Sequence, residues 1–151
     1  MNISEKLRFM NRISWVAKHE DGIVFASGMT FNQVQNDAKN YISDMFCTGT
    51  HNAVDEMGIG TGGTGSGAVT LTALVAHASH EAISSGSGIT DAGTGGVDFT
   101  ASFTNVNGSV DEAGLFPDAY DGGVMYFYND TGLGVPLTVT DTLTINWEMN
   151  Y

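Results

Sequence analysis

The chain has 151 residues, 42% of them hydrophobic, which fits one globular domain with a real core and excludes a disordered chain. Seventeen acidic residues against 5 basic ones give a formal net charge of −12, which argues against nucleic acid and anionic membranes as partners, since both are held by basic groups. Cys47 is alone, so no internal disulfide staples the fold.

Residues 1–9 read as an N-terminal arm, with Ile3, Leu7 and Phe9 as anchors for a neighbouring subunit. This segment carries no apolar run of signal-peptide length, and no stretch approaches the ~20 apolar residues that span a bilayer. Synthesis in a cytoplasm is therefore expected. Over residues 12–18 the alternation of Ile13, Trp15 and Ala17 predicts a strand. Asp21-Gly22 then supplies a turn and residues 23–26 the returning strand of a hairpin.

Residues 30–47 predict one amphipathic helix. Phe31, Val34, Ala38, Tyr41, Ile42, Met45 and Phe46 recur at spacings of three and four, with Gly49 just past the end. Residues 54–59 predict a short strand, while the glycine run to Gly67 reads as a flexible surface loop. A helical turn and then a strand over residues 77–83 are expected next, followed by a polar loop over 84–96. Four strands close the chain, at 97–105, 109–115, 123–129 and 142–151, with Asn107-Gly108 as a hairpin turn. The last of them alternates throughout. Leu143, Ile145, Trp147, Met149 and Tyr151 point one way, and threonines, asparagines and Glu148 the other. Phe99, Phe103, Leu115, Leu143, Ile145 and Trp147 are the expected core.

Few residues suggest chemistry. Gly58-Ile-Gly-Thr-Gly-Gly63 matches a dinucleotide fingerprint in letters only, because neither a following helix nor a parallel crossover surrounds it. No cofactor is implied. Cys47-x-x-x-His51 and His77-x-x-His80 resemble zinc spacings, but a strand over 77–83 sends His77 and His80 to opposite faces, so no metal is expected. Asp111, Glu112, Asp118, Asp121 and Asp141 read mainly as turn carboxylates. The stretch 118–123 lacks the full ligand series of a calcium loop. Val124-Met-Tyr-Phe-Tyr128 is apolar on both faces and reads first as a central strand. Tyr126 and Tyr128 are the alternative candidates for contact with a subunit or a sugar ring.

The order of several motifs resembles small structural proteins of tailed viruses, of the head-decoration and tail-accessory type. Those motifs are Ile59-Gly-Thr-Gly62, Thr72-Ala-Leu74, Val97-Asp-Phe-Thr-Ala-Ser-Phe103, Ser109-Val-Asp-Glu-Ala-Gly-Leu-Phe116, Gly123-Val-Met-Tyr-Phe127 and Thr142-Leu-Thr-Ile-Asn-Trp-Glu148. The resemblance implies a non-enzymatic virion component that binds major capsid or tail subunits. Capsid decoration is the first reading. A tail or fibre accessory with a carbohydrate-binding role is the alternative. The expected architecture is a single mainly β domain over residues 1–151, an antiparallel, jelly-roll-like β-sandwich with an N-terminal hairpin and one amphipathic helix, assembled as a homo-oligomer.

Overall fold

The computed structural model describes residues 10–34, 54–65, 73–91, 94–117 and 125–150. The fold is mainly β and antiparallel, with no helix among the described residues. Its strands are β1 (Met10–Lys18), β2 (Val24–Val34), β3 (Glu56–Gly60), β4 (His77–Ala82), β5 (Ser85–Asp91), β6 (Thr94–Phe103), β7 (Gly108–Val110), β8 (Glu112–Phe116), β9 (Phe127–Asn129), β10 (Val135–Leu137) and β11 (Thr142–Asn150).

Nine of these form one sheet in the order β4-β3-β8-β9-β2-β1-β11-β6-β5, while β10 and β7 pair separately. The long β2 pairs with β1 as far as Asn32 and with β9 at Gln33 and Val34, so it belongs to both halves of the sheet. At the other side the chain passes from β4 to β5 through Ile83 and Ser84 alone. There the Ser84 N–H donates to the Thr100 carbonyl of β6 at 2.8 Å. The two halves thus face each other in a sandwich-like arrangement, with one core between them.

Cross-strand rows build that core. Ile13, Trp147 and Phe99 lie side by side on β1, β11 and β6; Trp15, Ile145 and Ala101 form the next row, and Ala17, Leu143 and Phe103 the third. Alternation puts all nine on one face, and eight of them are buried, with Trp15 half-buried. The opposite half contributes Met57, Leu115 and Phe127 as a facing row. Phe127 meets Trp147 edge-on, with ring centroids 6.5 Å apart and planes at 64°, so the two halves touch through an aromatic contact. Trp15 lies over Gly28, its register partner, where a Cβ would come within 2.6 Å of the indole. Glycine is the residue that leaves room for that ring. Val110, Val135 and Leu137 of the small β7–β10 pair are buried in the same cluster.

The N-terminal hairpin turns where expected. The His19 carbonyl accepts the Gly22 N–H at 2.8 Å, Gly22 has φ 84°, and Asp21 Oδ1 accepts the Ile23 N–H at 2.9 Å. Several other expectations change. The helix over 30–47 does not begin at Thr30, because residues 30–34 continue β2: Thr30 pairs with Ile13 and Phe31 with Arg12. Phe31 and Val34 are three residues apart, a spacing that fits a helix, but both lie at the end of β2. Residues 35–47 lie outside the described residues. The polar loop over 84–96 is largely β5 and the start of β6, a hairpin rich in glycine and serine. Asn107-Gly108 does not join paired strands, since β6 pairs with β11 and β5 whereas β7 pairs with β10. The stretch 109–115 is two strands, broken at Asp111, and a further strand, β10, lies between those expected at 123–129 and 142–151.

Trp147 is fully buried, and its indole N–H has no acceptor among the described residues. Trp147→Ala should cost ~3–5 kcal/mol, read as a lower urea midpoint. Trp147→Phe should cost less, because it keeps the ring against Phe127 and removes a buried, unpaired donor.

Candidate functional site

The outward face of the second half of the sheet has a glycine floor. Gly58 and Gly60 of β3 and Gly114 of β8 share that face with Glu112, Phe116 and Tyr128, as the register dictates. Leu74, Phe116, Met125 and Tyr128 form a second apolar cluster there. A Cβ on Gly58 would come within 3.1 Å of both Leu74 and Phe116, and one on Gly114 within 2.5 Å of Met125 Sδ. A Cβ on Gly60 would run into the Ala76 carbonyl and the Glu112 carboxylate. The glycines of the G-x-G run therefore admit the segment 73–76 onto the sheet. Gly58 and Gly60 lie in a buried strand, not in a flexible loop.

Glu112 holds this segment down. It is fully buried, which for a carboxylate demands compensating donors. Oε1 accepts the N–H groups of Ala76 at 2.7 Å and Gly62 at 3.2 Å. Oε2 accepts the Val75 N–H at 2.8 Å and the Tyr128 hydroxyl at 3.0 Å. Next to it, Asp111 Oδ1 accepts the Gly63 N–H at 2.8 Å. The glycine amides that would face a phosphate in a nucleotide site are thus directed at the chain's own carboxylates. Burial, then the negative charge and hydrogen bonding of Glu112, pushes the Tyr128 phenol far above its usual range, so the hydroxyl stays protonated and donates. Glu112 is an internal anchor and not the turn carboxylate that its sequence context suggests.

The anchored segment runs directly into β4 and sets its register. Gly58 pairs with His80, Ile59 with Ser79 and Gly60 with His77, so Ala78 has no partner and forms a bulge. An extra residue reverses the alternation. Gly58 and Gly60 share a face, and His77 and His80 therefore share it too. Their rings stack with centroids 5.2 Å apart at 30°, and Nε2 of His77 lies 3.1 Å from Nδ1 of His80. The expectation that a strand would separate these two histidines is overturned by the bulge. Cys47 and His51 lie outside the described residues. Among the described residues no group of three or more His, Cys, Asp or Glu side chains is placed to hold a metal ion.

A third polar constellation links the hairpin turn to the start of β11. His19 Nδ1 lies 2.8 Å from Asp141 Oδ1, and the imidazole stacks on Phe25 with centroids 4.3 Å apart. Asp141 is buried, and Oδ2 accepts both the Thr138 N–H at 2.8 Å and the Thr138 hydroxyl at 2.9 Å. The His19 hydrogen bond, and then the Thr138 amide, holds its carboxyl below the ordinary value of 3.8.

Phe99, Phe103, Leu115, Leu143, Ile145 and Trp147 are all buried in the main cluster. Tyr128 is not a partner contact: it is 2% exposed, with its hydroxyl on Glu112. Tyr126 is half-buried against the main core. Ile3, Leu7 and Phe9, and likewise Asp118 and Asp121, lie outside the described residues.

Two consequences can be measured. Glu112→Ala would leave three N–H groups and a hydroxyl without their acceptor, at ~1–3 kcal/mol per buried group. Tyr128→Phe removes one bond to a carboxylate, worth about 1.5–3 kcal/mol. Denaturant midpoints should rank Glu112→Ala as much the more severe, with faster amide exchange at Val75 and Ala76. For Asp141, a depressed folded pKa means stability that is present at neutral pH and lost as pH falls through that value. The thermal midpoint of Asp141→Asn should lie below the native one at neutral pH, with the gap closing in acid.

Comparison with protein-family models, with curated proteins and with solved structures returns no match, so the chain's own geometry carries the functional reading.

Proposed function

We propose that the chain is a non-enzymatic structural protein of a tailed-virus particle, a decoration or cement protein that binds capsid subunits. Support comes first from the ordered motifs, now placed on β3, β6, β8, β9 and β11 of a single antiparallel fold. The nested pairings of β1 with β11, β2 with β9 and β3 with β8 support the finer, jelly-roll-like description.

One observation carries the binding role. Met29 and Phe31 lie two residues apart on β2, on one face, and are 55% and 63% exposed. The rows beside them on that face are polar: Arg12 ion-pairs with Glu148, Thr100 donates to Asn146 at 2.9 Å, and the Ser102 and Thr144 hydroxyls are 2.9 Å apart. Large apolar side chains ringed by polar groups have the anatomy of a protein contact surface. The β2 face is the surface assigned to the capsid partner, with self-association into a homo-oligomer as part of the same proposal. The carbohydrate-binding alternative has less support, because Tyr128, one of its aromatic candidates, is spent inside the fold.

Met29→Ser combined with Phe31→Ser should leave the thermal midpoint nearly unchanged, since neither side chain is buried. The same pair should weaken binding to particles stripped of this protein by roughly tenfold or more, ~1.4 kcal/mol. Undiminished binding, or absence of the protein from purified particles, counts against the proposal.

A further inference from the structure

We infer that His77 and His80 form a two-histidine chelate for a borderline divalent transition-metal ion such as Zn(II), Ni(II) or Cu(II). The pair is built, not incidental. The Ala78 bulge places both side chains on one face, and the Val75 and Ala76 N–H bonds into Glu112 fix the chain immediately before them. Both residues are exposed and stand on β4, the strand that ends the sheet order, so an ion can reach them from solvent.

The donor spacing suits a single ion. With metal–nitrogen bonds of ~2.0–2.1 Å, the 3.1 Å between Nε2 of His77 and Nδ1 of His80 subtends about 100° at the metal, between octahedral and tetrahedral values. In the metal-free pair one ring donates an N–H to the other. Binding requires both facing nitrogens to present lone pairs, which the neutral tautomers with Nδ1–H on His77 and Nε2–H on His80 supply. Each ring keeps one proton, so this change of tautomer releases none. Imidazole donors select Zn, Ni and Cu over Mg and Ca. The formal charge of −12 raises the local concentration of any cation. Two protein ligands leave open positions on the ion, available to water or to a donor from another molecule.

The test is calorimetric titration of the full chain with each metal in the presence of excess Mg(II), which occupies the non-specific acidic surface. Saturable binding is expected, weakened roughly tenfold or more by His77→Ala or His80→Ala and unchanged by His19→Ala. Both exposed rings can be removed without opening the core, so the metal-free variants should melt like the native chain. Imidazole nitrogen NMR on the unaltered protein identifies the ligands independently of any variant: the His77 Nε2 and His80 Nδ1 signals should be the ones that move. No saturable binding would overturn the inference. So would binding that survives both single substitutions, or that vanishes with Cys47→Ser while the two histidine signals stay still.

Discussion

The buried carboxylate of Glu112 is the constraint on which the second half of the sheet depends. A charge taken out of water must be matched by donors, and this one recruits them from residues 36 to 50 positions away in sequence, together with Tyr128 on the adjacent strand. It ties β8 to the turn after β3 and to the segment before β4. Without it, the glycine floor of β3 and β8 would be an exposed apolar strip with nothing to hold its cover in place. The hydrogen bonds supply the direction and Leu74 supplies the apolar burial. Each is of little use alone, since burying Leu74 requires that the polar backbone beside it also be satisfied.

Register follows from the same anchor. Ala76 is fixed from two sides, its N–H on Glu112 and its carbonyl accepting the Thr61 N–H at 2.9 Å. β4 must then begin at a set height against β3, and the one residue of excess chain appears as the Ala78 bulge. The two histidines meet because of where a glutamate sits on another strand. The first half of the sheet has a buried carboxylate only at its end, Asp141 before β11, among the described residues. Within its rows complementary sizes position the strands, with Trp15 over Gly28 and the small Ala101 at the far end of the same row.

What could be read in the sequence divides along these lines. β1, β6 and β11 each have one dry and one wet face, so their alternation reports both strand and orientation, and Ile13, Phe99 and Trp147 stand out without any knowledge of partners. β8 and β9 are covered on both sides, so their residues show no period, and Glu112 sits in an apolar stretch whose polar partners are distant. β5, Ser-Gly-Ser-Gly-Ile-Thr-Asp, has no apolar stripe at all; pairing with β6 alone makes it a strand. The tail of β2 shares Phe31 and Val34 with a helical spacing that continues into residues 35–47. The histidine pair was visible as two letters three apart, but the bulge that unites them is set by Ala76 and Glu112, and no local pattern encodes it.

The pairing of β1 with β11 has a consequence for how the molecule is made. Trp147 completes the row with Ile13 and Phe99, yet it follows Ile13 by more than 130 positions in the chain. Until β11 is made, Ile13 and Trp15 of the hairpin have no strand on that side, and β6 lacks the strand that separates it from β1. Contacts between residues more than 130 positions apart close late and fold slowly. A chain that stalls or is cut short before β11 therefore presents a row of unpaired backbone donors in the middle of a sheet, next to a bare aromatic surface. Those are the conditions under which β proteins capture one another.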